Sequence, residues 1–167
     1  MSERIDFMNE KNNAKVESFE LDHTKVKAPF VRKCSVYNGK HGDKVTKFDI
    51  RFAQPNREEM ESAGIHTLEH LMATYLRESD ADFSESIIDV SPMGCRTGFY
   101  ITLWGDWESS YVAEEIKKAL EKVVNADSVP AVNEVQCGNY RLHSLELAKK
   151  YAKDVLDKGL TDKFIAE

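Results

Sequence analysis

Two histidines and a glutamate stand close together in the run His66-Thr67-Leu68-Glu69-His70. On an α-helix, at about 100° per residue, His70 lies about 40° from His66 and Glu69 about 60° to the other side. Both imidazoles can then converge on one metal ion, with a carboxylate beside it. On the same wheel Ile65, Leu68, Leu71, Met72, Tyr75 and Leu76 form an apolar stripe nearly opposite the histidines. The predicted helix therefore buries one side in a core and presents His-x-x-Glu-His on the other.

Two imidazoles fill only half of a tetrahedral site, so a further ligand has to come from elsewhere. Cys137, in Asn133-Glu134-Val135-Gln136-Cys137-Gly138, is the candidate, followed by a glycine that permits a turn. A His2Cys set leaves one position for water or substrate, the pattern of catalytic sites. Its mixed nitrogen and sulfur donors suit Zn, Fe(II) or Co(II) rather than Mg or Ca. The alternative for Cys137 is a buried structural thiol.

A second thiol, Cys95, sits in the loop Ser91-Pro92-Met93-Gly94-Cys95-Arg96-Thr97-Gly98. Glycines on either side let the backbone bend sharply, and Arg96 is the cation expected to favour a thiolate. A buried core thiol is the competing reading for this loop. Cys34 follows Arg32-Lys33 on a predicted strand and reads as structural. His-x-x-Glu-His by itself is also the inverzincin peptidase motif, where the glutamate acts as base. Those peptidases are larger chains with a distant glutamate as third ligand. Two thiols beside a metal suit proton movement on a carbonyl compound better than peptide hydrolysis. A structural metal-binding module is the third class.

The elements that must position these groups follow from hydrophobic periodicity. A strand near Val31–Tyr37 leads through Asn-Gly and His-Gly-Asp into a second near Val45–Phe52. In the second, Phe48, Ile50 and Phe52 alternate with Asp49, Arg51 and Ala53, so Arg51 points away from the core. Pro55-Asn56 breaks that strand, and the histidine helix runs from Arg57 or Ser62 to Glu78. Strands near Ser86–Val90 and Phe99–Trp104 flank the Cys95 turn. Val112, Ile116, Ala119, Leu120 and Val123 mark another helix, and Leu145, Ala148, Ala152, Val155 and Leu156 a last one. The expected class is α+β: an antiparallel sheet packed by helices.

At 167 residues the chain is about one domain, with room for a real core. Its net charge of −6 argues against nucleic-acid binding, which needs a clustered basic surface. Apolar runs such as Phe99–Trp104 are far shorter than the ~20 residues that span a bilayer. The start of the chain shows no secretory signal, and three cysteines without a Cys-x-x-Cys pair fit a reducing compartment. A cytoplasmic protein is expected, with residues 1–15 as a flexible N-terminal extension.

The motifs resemble, in order, those of S-ribosylhomocysteine lyase, the LuxS autoinducer-2 synthase family. The resemblance runs from Val16 to near the C-terminus. It includes Val16-Glu17-Ser18-Phe19-Glu20-Leu21-Asp22-His23, Lys27-Ala28-Pro29, Phe48-Asp49-Ile50-Arg51-Phe52 and Gln54-Pro55-Asn56. It continues through the His66–His70 run, Ile88 to Gly98, and Asn133 to Gly138. The head, Met1 to Ala14, is longer than expected of the family. The resemblance implies that residues 16–167 form a single catalytic domain within a homodimer whose active sites lie at the interface. It implies one divalent metal per subunit, Fe(II) natively and Zn or Co(II) as alternatives, on His66, His70 and Cys137. It implies Cys95 and Glu69 as acid and base, and Ser18, His23, Arg51 and Asp89 as substrate contacts. It also suggests that the Ser18–His23 segment crosses from the partner, and leaves open which subunit donates Arg51. The implied reaction cleaves S-ribosylhomocysteine to homocysteine and 4,5-dihydroxy-2,3-pentanedione, the autoinducer-2 precursor used in quorum sensing. Successive carbonyl migrations and a β-elimination would carry it, within the methyl cycle.

Overall fold

A computed structural model describes residues 15–166. The extension expected over residues 1–15 lies, but for its last residue, outside them. Four strands form one antiparallel sheet: β1 (Phe30–Asn38), β2 (Lys44–Arg51), β3 (Ile87–Pro92) and β4 (Gly98–Trp104), in the order β1-β2-β4-β3. Five helices accompany it: α1 (Glu17–Glu20), α2 (Ser62–Tyr75), α3 (Ala81–Ser86), α4 (Ser109–Val124) and α5 (Leu145–Lys158). The α+β class with an antiparallel sheet is therefore as expected. The two strand pairs, the histidine helix and the two amphipathic helices lie where their periodicity put them. Short α1 and α3 carry no such pattern and were not anticipated. No helix among the described residues is long and apolar enough to cross a membrane.

Alternation along the strands gives the sheet two unlike faces. Phe48 and Ile50 of β2 pair with Ile101 and Phe99 of β4, and all four are fully buried against the helices. On that side α2 packs against α4, α5 and β3, contributing Leu68, Leu71 and Met72 to the core. The opposite face carries Arg32, Asp49, Arg51 and Tyr100, in adjacent register positions. There α1 is tied to β1 by an ion pair, Arg32 Nη2 to Glu17 Oε1 at 2.8 Å.

The loop between β3 and β4 is pinned to β2 and to the chain beyond it. The carbonyl of Thr97 accepts from both Phe52 and Ala53 N–H at 2.9 Å, and the Arg96 carbonyl accepts from Met60 N–H at 2.9 Å. Arg96 takes φ 58°, a left-handed conformation that turns the loop back toward β4. Gly98 opens β4 opposite Arg51, and a Cβ there would collide with the Ile50 carbonyl and the Arg51 backbone. Backbone cannot give way as a side chain can. We expect Gly98→Ala to cost about 2–3 kcal/mol by overpacking. Gly94→Ala, where a Cβ meets nothing within 4 Å, should stay within about 0.5 kcal/mol of the parent. Urea-denaturation midpoints of the two variants check both values.

Candidate active site

The rotational setting of α2 is decided by its core face, and His66 and His70 emerge on the other side, half-buried. Segments distant in sequence then close around them. The loop before α5 presents two backbone carbonyls to the imidazoles. His66 Nδ1 donates to Leu142 O at 2.8 Å, and His70 Nδ1 donates to Pro130 O at 2.9 Å. A carbonyl only accepts, so each Nδ1 carries the proton and each Nε2 keeps a free lone pair. Such partners orient metal-binding histidines. Cys137 is brought in by a turn organised on Asn133, whose Oδ1 accepts from Val135 and Gln136 N–H at 3.1 and 3.0 Å. Its Sγ lies 3.4 Å from His66 Nε2.

A residue that sequence reasoning missed completes this cluster. His143 Nε2 lies 3.8 Å from Cys137 Sγ, and the ring stacks on His66 with centroids 4.0 Å apart. One donor atom from each of His66, His70, Cys137 and His143 falls within 4.8 Å of all the others. His143 is held by Thr67, the second residue of the histidine motif. The Thr67 hydroxyl donates to Ala63 O at 2.9 Å, and its oxygen accepts the backbone N–H of Ser144 at 2.9 Å. With its hydrogen committed, Thr67 Oγ1 accepts from His143 Nδ1 at 3.0 Å, which again frees Nε2. Burial first, then the rings of His66 and His70, push His143 down to about 4, so it is neutral at pH 7. No spacing in the sequence singles His143 out; the fold alone brings it to the cluster.

This donor set fits a transition metal. Bond lengths of about 2.0–2.3 Å place tetrahedral nitrogen and sulfur donors roughly 3.3–3.7 Å apart, close to the separations found for Cys137. Neutral imidazoles and a thiol are soft to borderline donors and match Zn, Fe(II) or Co(II), not Mg or Ca. Glu69 lies on the same helix, half-buried, with no side-chain hydrogen bond among the described residues.

A second constellation forms around Cys95. The thiol is exposed, and with His23, Arg51, Pro55, Asn56 and Thr97 it lines a cleft. Arg51 is 2 % exposed and Asp49 1 %. The guanidinium grips Asp49 with two bonds, Nε to Oδ1 at 3.0 Å and Nη2 to Oδ2 at 2.7 Å. Its remaining nitrogen, Nη1, donates to Thr97 Oγ1 at 2.9 Å and lies 3.9 Å from Cys95 Sγ. Arg96 does not serve as the cation beside the thiol. It pairs with Glu59 at 2.7 Å, because its left-handed backbone turns it out of the loop, and Arg51 takes that place.

His23 Nδ1 donates to Leu21 O at 2.8 Å. Ser18 neighbours the Tyr100 hydroxyl on the polar face of the sheet. Asp89 is exposed on β3, accepts from Ser91 Oγ at 2.7 Å, and does not line the Cys95 cleft. Cys34 occupies a bulge in β1, and burial pushes its thiol up to about 12, in keeping with a structural role. Neither the histidine cluster nor Glu69 lines the Cys95 cleft. His23, Arg51 and Cys95 of one chain share the cleft. The segment that carries His23 is flanked by two anchors, Glu17 to Arg32 of β1 and Lys27 N–H to Phe164 O of the C-terminal tail at 2.9 Å.

Comparison with known proteins matches this chain to one family. The family model described as S-Ribosylhomocysteinase (LuxS) matches residues 16–165. A protein named S-ribosylhomocysteine lyase from Clostridioides difficile (strain 630) is 61% identical over 147 residues, covering 88% of this chain and 95% of its own length. One of the same name from Clostridium botulinum (strain Alaska E43 / Type E3) is 59% identical over the same coverage. A third, from Pediococcus pentosaceus, is 51% identical over 152 residues, covering 89% of this chain and 94% of its own. With a family model spanning nearly all the described residues and relatives this similar along their whole length, the chain belongs to the LuxS, or S-ribosylhomocysteinase, family.

Proposed function

We propose that this chain is a metal-dependent carbon–sulfur lyase that converts S-ribosylhomocysteine to homocysteine and 4,5-dihydroxy-2,3-pentanedione. The observation that carries the reading is the pairing of two devices in a chain of this family: a His/Cys cluster beside Glu69, and an exposed thiol facing a buried arginine. His66, His70 and Cys137 would hold the metal, with His143 as a fourth donor-bearing ring against them. Fe(II) is the native ion in this reading, and Zn or Co(II) can replace it. A metal bound there supplies Lewis-acid polarisation of a sugar carbonyl oxygen.

The substrate dictates what the side chains must do. A thioether is a poor leaving group unless the bond it leaves is β to a carbonyl. Ring opening exposes the C1 aldehyde. Cys95, as thiolate, takes the C2 proton and returns it at C1, while Glu69 hands a proton between the two oxygens, which moves the carbonyl to C2. Repetition at C3 moves it once more. Removal of the C4 proton then expels homocysteine sulfur from C5, which leaves with a proton. The resulting C4–C5 enol takes up a proton at C5 and becomes the methyl ketone of the product. No redox partner is consumed. Ser18, His23, Arg51 and Asp89 are proposed to bind the sugar hydroxyls and the amino-acid end of the substrate.

The chemistry needs Cys95 and Glu69 on one substrate, yet within one chain they belong to separate constellations. A homodimer in which each site takes Cys95, Arg51 and His23 from one subunit and the metal cluster and Glu69 from the other satisfies both requirements. Such a partner also excludes water from enediol intermediates.

Three measurements test this reading. Cys137→Ala should lose most bound divalent metal in elemental analysis, whereas Cys34→Ala should keep it; equal metal in both overturns the ligand set. Cys95→Ala and Glu69→Gln should retain metal but lose homocysteine release, read with a thiol-reactive dye, by at least about 10²-fold. Mixing those two inactive variants under subunit exchange should restore roughly a quarter of the sites, since half the dimers are mixed and each carries one intact site. A dead mixture with proven exchange places both residues on the same chain.

A further inference from the structure

We infer that Thr97 is a positioning residue that holds Cys95 in its thiolate form by donating its hydroxyl hydrogen to Sγ. The inference rests on the reading of Cys95 as the proton-transfer thiol, and it follows from counting donors. An arginine side chain offers only N–H groups and accepts nothing. Two of its nitrogens are committed to the Asp49 carboxylate, at 3.0 and 2.7 Å. The third donates to Thr97 Oγ1 at 2.9 Å, so the threonine oxygen is the acceptor in that bond. The one hydrogen on Thr97 Oγ1 is then left for its other neighbour, Cys95 Sγ, at 3.0 Å. The sulfur accepts that hydrogen weakly as a thiol and strongly as a thiolate, so the bond favours the charged form.

Arg51 alone does not account for a thiolate here. Its charge is balanced by Asp49 through two bonds, and its nearest nitrogen is 3.9 Å from the sulfur. Arg96, from the same loop, is paired with Glu59. The other charged or titratable groups facing Cys95 are His23 from the segment after α1, and Arg57, Glu58 and Glu59 from the segment after β2. Among these groups the Thr97 hydroxyl makes the short contact. It is also rigid and dry: Thr97 is 5 % exposed, and its carbonyl is clamped by Phe52 and Ala53 N–H. A hydrogen bond to a charged acceptor is among the stronger ones in a protein, and more so away from water.

The test compares Thr97→Val, Thr97→Ala and Thr97→Ser with the parent, all metal-loaded. The rate of iodoacetamide modification at Cys95, located by mass spectrometry, is followed from pH 5 to pH 10. Valine keeps the shape of threonine and loses the donor, alanine loses it with less bulk, and serine keeps it. We expect Val and Ala to move half-maximal reactivity up by about one pH unit and to lower the rate about tenfold on the acid limb of the profile, where the thiolate is the minor form. Serine should stay within about twofold of the parent, and metal content should not change. An unshifted profile in whichever of Val or Ala folds overturns the inference, as does a serine variant as defective as valine. A shifted profile with unchanged homocysteine release would instead overturn the role given to Cys95 and leave the Thr97 contact standing.

Discussion

The orientation of α2 about its own axis governs everything else in this molecule. Leu68, Leu71 and Met72, with Leu76 just beyond the helix end, are fully buried, and burying each contributes roughly 1.5–3 kcal/mol. Rotating the helix to bring its histidines to any other direction would expose that stripe. The direction of His66, Glu69 and His70 is therefore a by-product of core packing. The loop from Pro130 to His143 finishes the aiming, since its carbonyls choose the tautomer of each imidazole. This division of labour suits a cluster that could hold a metal, because the partners of its imidazoles are fixed by the fold.

The polar face of the sheet solves a different problem. Arg51 and Asp49 are both almost completely buried, and a buried charge is tolerated only when paired and hydrogen-bonded. Arg32 extends the pair, reaching Asp49 at 3.5 Å and Glu17 at 2.8 Å, so a row of alternating charge links α1 through β1 to β2. The row ends at Thr97 and Cys95. A strand face that carries charge in place of apolar residues is costly as a surface for folding. Here it holds the thiol loop at a defined distance from a cation that strand pairing keeps in place.

Much of this was legible in the residues, and the reasons differ by case. Strand alternation identified Phe48 and Ile50 as core and Arg51 as facing the other way. Helical spacing identified His66 and His70 as convergent and placed Glu69 beside them. The glycines around Cys95 marked it as presented. Those inferences use periods of two and 3.6 residues, and both survive folding unchanged. Arg96 misled because adjacency in sequence is a poor guide to adjacency in a tight turn, where a left-handed residue sends its side chain elsewhere.

The faces can be read from the residues alone: which positions of α2 meet the core, which carry the imidazoles, and which strand positions carry charge. Those assignments depend on backbone geometry over a few neighbouring residues. The partners follow from how the layers pack. His143 lies 76 positions from the Thr67 hydroxyl that sets its tautomer, and Thr97 46 positions from the Arg51 nitrogen that turns its hydroxyl toward Cys95. Contacts at that separation are selected by how the layers pack and by the cost of leaving a buried donor without an acceptor. Neither condition leaves a local trace in the chain.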